Sequence, residues 1–242
     1  MDNMETFPLT HTPTAPPIKV DIWSDVQCGW CYIAKRRLEA AAEQFDGELE
    51  IEYHSFELAP EAPAEFDGAT KEFLNHSRGL PLPEAEKMLA RVTEIAAGAG
   101  LDYHFDRTHP TNTILAHELI HFAKSTGRQG EMNERLSDAY FQRGEHIGRI
   151  PNLVAIAVEL GFDRDEVMVA LTEHRHLDEV KADFARATNL GIQSIPFFVF
   201  DGRYGVSGAQ DKGAFLQVLQ QVDAERDAAS TTAAAPTVAA PR

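Results

Sequence analysis

The chain holds two cysteines, three positions apart, in Cys28-Gly29-Trp30-Cys31. Side chains at that spacing share one face of a helix, with Cβ atoms about 5–6 Å apart. A disulfide tolerates a similar separation, so the pair can open and close with little backbone movement. An alternating apolar run precedes Cys28 and a helical pattern follows it, which places Cys28 at a helix N-terminus. Open N–H groups and the helix dipole favour a thiolate there. The expected division of labour is Cys28 attacking from an exposed tip and Cys31 resolving from one turn deeper. The competing readings are a zinc half-site and a pair of bystander thiols. A structural zinc needs four ligands, and the chain offers no second cysteine pair and no histidine close to Cys28 in sequence. No metal is therefore expected.

Two other segments carry candidate chemistry. In Ser194-Ile195-Pro196-Phe197-Phe198 a proline enters a strand, the position where its missing N–H costs the sheet nothing. A cis Ile195–Pro196 bond would leave the Ile195 N–H and C=O open to an extended substrate; a trans bond would merely start the strand. His117-Glu118-Leu119-Ile120-His121 matches the HExxH pattern of zinc proteases. Lys124 stands where the extended pattern has glycine. The stripe Leu115, Leu119, Phe122 and Ala123 predicts that His117 and His121 face solvent or a cleft. Trp30, between two reactive thiols, is expected to be a partly exposed contact surface.

The elements that must position these residues follow from periodicity. Ile18 to Trp23 alternates like a strand, and Ala34, Leu38, Ala41 and Phe45 form a helical stripe that Gly47 is expected to close. Leu49, Ile51 and Tyr53 alternate with glutamates in a second strand. From 66 to 188 helical patterns dominate, four to six in number, with a break at Gly161 and a cap at Asp163. Phe197 to Phe200, the turn Asp201-Gly202, and Tyr204 to Val206 predict a hairpin. A last helix, from about Ala209 to Val222, buries Phe215, Leu216, Leu219 and Val222. The order βαβ, helical block, ββα predicts an α/β fold in which one mixed sheet is built from both ends of the chain.

At 242 residues, one large domain or two small ones are expected, with a core that needs no disulfide staples. The net charge of −16 argues against nucleic acid or an anionic membrane as the partner. Two cysteines exclude a disulfide-rich secreted scaffold. No apolar run reaches membrane-span length, and the opening residues lack the pattern of a secretory signal, so a cytoplasmic location is expected. Residues 1–17 read as a flexible arm and 224–242 as a disordered tail.

Strand, CxxC, helix, helical insertion and Ile-Pro strand entry together resemble the thioredoxin superfamily in its DsbA-like arrangement. DIWSDVQCGWCYIAKR, from Asp21 to Arg36, and Gly205-Val206-Ser207-Gly208-Ala209-Gln210 resemble its FrnE-type branch. That branch is related to the 2-hydroxychromene-2-carboxylate isomerases and kappa-class glutathione transferases. The resemblance implies a thioredoxin fold from 18–65 and 189–223 with an all-helical insertion at 66–188. It implies a cis Pro196 facing the thiols. With Trp30 read as a contact surface and the Ile195 backbone as open, the expected substrate contacts are Trp30, Ile195 and Pro196. The resemblance also implies a cleft-covering stretch ending at His117, whose imidazole would tune the Cys28 thiolate; the alternative is an ordinary surface histidine. Gly29 departs from the proline common in the family, which leaves the direction of catalysis open. The buried acid of thioredoxins falls here at Ile22, so another carboxylate or water must take the Cys31 proton.

The expected function is a dithiol–disulfide oxidoreductase acting on a disulfide-containing protein or small thiol, as a monomer or homodimer, with no required cofactor. The rivals are a glutathione-dependent isomerase or transferase, with glutathione as ligand or reductant, a holdase-like binding module, and the HExxH metalloprotease.

Overall fold

The computed structural model describes residues 16–233, so most of the expected N-terminal arm and the end of the expected tail lie outside the described residues. Four strands form one sheet: β1 (Ile18–Ser24), β2 (Leu49–Ser55), β3 (Phe197–Phe200) and β4 (Tyr204–Ser207), in the order β2-β1-β3-β4. β1 runs parallel to β2, joined through α1 (Gly29–Ala42), whereas β3 is antiparallel to both β1 and β4. Ile22 faces Phe198 across the β1–β3 pairing and Trp23 faces Phe197. The two ends of the chain thus share a sheet, and the Ile-Pro strand entry is brought beside the exit of β1. Asp201 (φ 54°) and Gly202 (φ 65°) both take left-handed backbone in the three-residue β3–β4 connection, where the Arg203 N–H donates to the Phe200 carbonyl at 3.0 Å and closes a turn whose two central residues need positive φ.

β1 is central and buried on both faces. Ile18, Val20 and Ile22 pack with Ala34, Leu38 and Ala41 of α1 and with Phe215, Leu219 and Val222 of the C-terminal helix. Trp23 on the opposite face packs near Ala187 and Ile192. A separate core fills the helical insertion around Leu119, Met132, Leu136 and Phe141, and it also takes in Val26 from the turn before α1 and Tyr32 and Ile33 from its first turns. The helix bearing the cysteines is therefore seated in both cores, one end in each.

Between 66 and 189 the described residues form seven α-helices, more than the sequence periodicity resolves. They are α2 (Thr70–Arg78), α3 (Leu82–Gly98), α4 (Ile114–Lys124), α5 (Gln129–Asp138), α6 (Ile150–Glu159), α7 (Arg164–Thr172) and α8 (Leu177–Asn189). A short π-helical turn, Ala139–Arg143, extends α5. The extra boundaries arise at tight connections, such as Pro81 before α3 and the left-handed His174 between α7 and α8. The Asp163 cap is present: its Oδ1 accepts from the N–H groups of Asp165 (2.9 Å) and Glu166 (3.0 Å).

Two boundaries differ from expectation. α1 ends at Ala42, not at Gly47; a Cβ at Gly47 would lie 2.5 Å from the Phe45 ring, which would have to turn aside. The last helix, α9 (Lys212–Ala233), continues past residue 224, into the segment expected to be a disordered tail. Ala224, Glu225, Arg226, Ala228 and Ala229 have the propensity to prolong a helix once its first turns are docked.

Candidate active site

Asp25, Val26 and Gln27 form a turn between β1 and α1, closed by the Cys28 N–H donating to the Asp25 carbonyl at 3.0 Å. Cys28 is then the N-cap of α1, with extended backbone (φ −90°, ψ 106°), and its carbonyl accepts from the Cys31 N–H at 2.9 Å. The open N–H groups of the first turn lie next to its side chain. Both cysteines are free thiols.

The expected exposed tip is corrected here: Cys28 is only 5% exposed and Cys31 8%. Access is set by direction. Cys28 lines an open cleft of about 290 Å³ together with Trp30, Phe73, Met88, Phe105 and Ile195. Cys31 instead lines an interior crevice of about 10 Å³ with Ser24, Asp25, Lys35, Asn133 and Ser137, about the room one water molecule occupies. Burial, and then the neighbouring Cys28 sulfur that accepts its S–H, push the Cys31 thiol well above the ordinary value. Cys31 keeps its proton and directs it at Cys28.

The helical insertion covers the inter-cysteine dipeptide. Tyr103 Oη donates to the Gly29 carbonyl at 2.8 Å. A Cβ on Gly29 would approach the Tyr103 ring and Val92 to 3.3 Å each, so the residue between the thiols is small because the insertion presses on it. Trp30 is 38% exposed at the cleft. Ile195 reaches the same cleft, the Ile195–Pro196 bond is cis, and the Pro196 carbonyl accepts from Gly208 N–H at 2.8 Å. Among the described residues no hydrogen bond uses the Ile195 N–H or C=O.

Sequence reasoning missed Asp25. Its side chain is fully buried. It accepts from Gln27 N–H (3.1 Å), Leu58 N–H (2.8 Å) and Thr113 Oγ1 (3.2 Å). One carboxylate thus ties together the turn before Cys28, the segment after β2 and the start of α4. Burial pushes it up to about 6, against the pull of those donors. An acid three residues before a nucleophilic cysteine is the signal for it; the thioredoxin position inside the strand points to Ile22 instead.

His117 and His121 are both buried, which corrects the solvent- or cleft-facing expectation. α4 is covered on that side by the sheet and α8. His121 Nε2 lies 3.1 Å from both Ser55 Oγ and Asp183 Oδ2. Burial, and then the charge of His121, pull His117 down to about 4, so it is neutral at pH 7. Among the described residues its Nε2 has no hydrogen-bond partner; it stands 3.9 Å from Asp25 Oδ1. Glu118 turns away from both histidines to His174 Nδ1 at 2.7 Å. The HExxH residues therefore form no zinc site, and the metalloprotease reading falls. Among the described residues the one cluster with metal-ligand spacing is Asp21, Glu52 and His54. Its atoms are already engaged: His54 Nε2 with Asp21 at 2.7 Å, and Glu52 with Lys19 at 2.9 Å and Lys124 at 2.6 Å. Lys35, one turn beyond Cys31 on α1, is buried against Glu134 at 2.5 Å.

The DSBA-like thioredoxin domain family matches residues 19–220, and the chain belongs to that family. The probable DsbA oxidoreductase SCO1869 from Streptomyces coelicolor is 33% identical and superposes with a TM-score of 0.80, over 86% of this chain and 91% of that one. The uncharacterized protein YwbO of Bacillus subtilis strain 168 is 28% identical over 207 residues, covering 84% of this chain and 96% of the relative. The fold is also shared with a 2-hydroxychromene-2-carboxylate isomerase, at 16% identity and TM-score 0.61, over 90% of this chain and all of that one (100%). The fold is thus the DsbA-like thioredoxin fold with a helical insertion, in a family whose members are generally disulfide oxidoreductases.

Proposed function

We propose that the protein is a dithiol–disulfide oxidoreductase of the FrnE-type branch, working through Cys28 and Cys31. The observation that carries this reading is the opposed setting of the two thiols. One faces an open cleft at a helix N-terminus, and the other is interior, protonated and lines the same crevice as a buried carboxylate.

The steps follow from that setting. The Cys28 thiolate attacks a substrate disulfide; a sulfur–sulfur bond forms to Cys28 and one substrate thiolate leaves. Cys31 gives up its proton, for which Asp25 is the acceptor, ionised above about pH 6. The Cys31 thiolate then attacks Cys28 Sγ and releases the second substrate thiolate. Two electrons have passed to the substrate, and Cys28–Cys31 is the disulfide. The same steps reversed oxidise a dithiol. Trp30 and the open backbone of Ile195, before Pro196, hold the substrate across from Cys28. His117, 3.9 Å from Asp25 at its Nε2, is the residue proposed to tune the Cys28 thiolate.

A sulfur at position 28 favours redox chemistry over the isomerase and transferase reading, in which a serine is usual at that place. Glutathione enters this proposal as a reductant, in the cytoplasm. The test is insulin reduction by wild type and by Cys28→Ser, with the reduction potential of the Cys28–Cys31 couple. Loss of turnover in the variant and a measurable two-electron couple are expected. Equal turnover would overturn the proposal and favour a binding module with incidental thiols. Glutathione that binds by calorimetry and supports isomerisation without cycling the disulfide would favour the rival enzyme.

A further inference from the structure

The cleft on Cys28 has a composition of its own. Its walls are Trp30 on one side and Phe73, Leu74, Met88 and Leu89 of the α2–α3 hairpin on the other. About 290 Å³ is the scale of a small-molecule site. Among the described residues one cationic side chain lines it, Arg78, in the last turn of α2. The carbonyls of that helix end do not need Arg78. Gly79 N–H donates to Asn75 O at 3.0 Å, and Leu80 N–H to Leu74 O at 3.4 Å. The basic side chains near the cysteines on α1 are committed elsewhere: Lys35 and Arg36 to Glu134, and Arg37 to the Ala209 carbonyl. Arg78 has no ion pair or hydrogen bond among the described residues, in a chain with 38 acidic and 22 basic side chains. A guanidinium left open at the mouth of an apolar cleft is matched by a planar carboxylate.

We propose that the cleft takes a low-molecular-weight disulfide whose apolar body packs between Trp30 and the α2–α3 wall and whose carboxylate is held by Arg78. The inference rests on the redox reading of Cys28 and Cys31 and names its substrate class. Arg78 is a specificity residue: it binds the charged flank, while Cys28 forms and breaks the bonds as set out above.

The test is single turnover by the pre-reduced full chain, which needs no added reductant. Two aromatic disulfides serve as probes: 5,5′-dithiobis(2-nitrobenzoate), with a carboxylate on each ring, and 4,4′-dithiodipyridine, with none. The released chromophore gives a half-saturation concentration for each. Arg78→Gln is expected to raise the ratio of the two, carboxylated over uncharged, about tenfold, and Arg78→Lys is expected to raise it less. Arg91→Gln removes the same charge from an exposed position on α3 and controls for net charge. A ratio that moves less than twofold in Arg78→Gln, or an equal change in Arg91→Gln, overturns the proposal. So does an equal slowing of insulin reduction, which would make the cleft a protein-docking surface. The parent reading fails separately, if Cys28→Ser releases chromophore as fast as wild type.

Discussion

Asp25 is a buried carboxylate held by three donors, yet burial still leaves it at about 6. The sign of the linkage is that of a raised acid. Its contribution to stability is complete below its ordinary value of 3.8 and is lost as pH rises through about 6. Carrying the charge at pH 8 costs about 3 kcal/mol. A raised buried acid in the crevice that Cys31 lines fits the proton-acceptor role proposed for it. Asp25→Asn is therefore expected to slow the second thiolate release in single turnover by about 100-fold, a typical general-base contribution. The rise of that phase with pH near 6 should also vanish. A second phase with unchanged rate and pH profile would remove Asp25 from the mechanism.

At the scale of elements, α1 carries the chemistry and the insertion fixes its first turn. Tyr32 and Ile33 sit in the insertion core while Leu38 and Ala41 sit in the sheet core, so neither half can shift without disturbing the cysteines. Tyr32 Oη reaches Glu134 of α5 at 2.5 Å, and Gln27 Nε2 reaches the Thr111 carbonyl at 2.8 Å. α7 is a simpler case, because its start depends on one side chain. Asp163→Ala removes both capping bonds and is expected to cost about 1 kcal/mol, read as a lowered urea midpoint with an unchanged slope. A midpoint equal to wild type would mean that water or a neighbour caps the helix as well.

Across the whole molecule, a buried polar network joins sheet to insertion. His54 on β2 stacks on Trp23 and bridges Asp21 of β1 (2.7 Å) and Asp183 of α8 (2.8 Å), and His121 of α4 also meets Asp183. Burial alone would lower His54; its bonds to Asp183 and Asp21 outweigh that and raise it above 6.5. Burial likewise opposes, and the histidines overcome, the ionisation of Asp183 and Asp21, which end below 3.8. The aspartates add stability above 3.8 and lose it as pH falls; His54 adds stability below 6.5 and loses it as pH rises through its folded value. His54→Ala should destabilise by about 3 kcal/mol. The gap from wild type in urea unfolding should be widest between about pH 4 and 6.5 and should narrow on either side. A gap independent of pH would show that His54 contributes packing and no charge.

The sequence by itself determined what local periodicity and residue type encode. The βαβ and ββα ends, the Asp201-Gly202 turn, the Asp163 cap and the place of Cys28 at a helix N-terminus each depend on residues only a few positions apart. The tertiary structure alone decided what faces what. Cys28 looks into a cleft whose far wall comes from α2 and α3, Asp25 is sealed in by Leu58 and Thr113, and Arg78 stands at the cleft mouth. It also buried His117 and His121, which helical periodicity placed outward because α4 has a second covered side. The physical reason is range. Propensity, capping and alternation act through the backbone over a few residues, whereas burial and pairing depend on segments 30 to 130 positions away that no local pattern brings together.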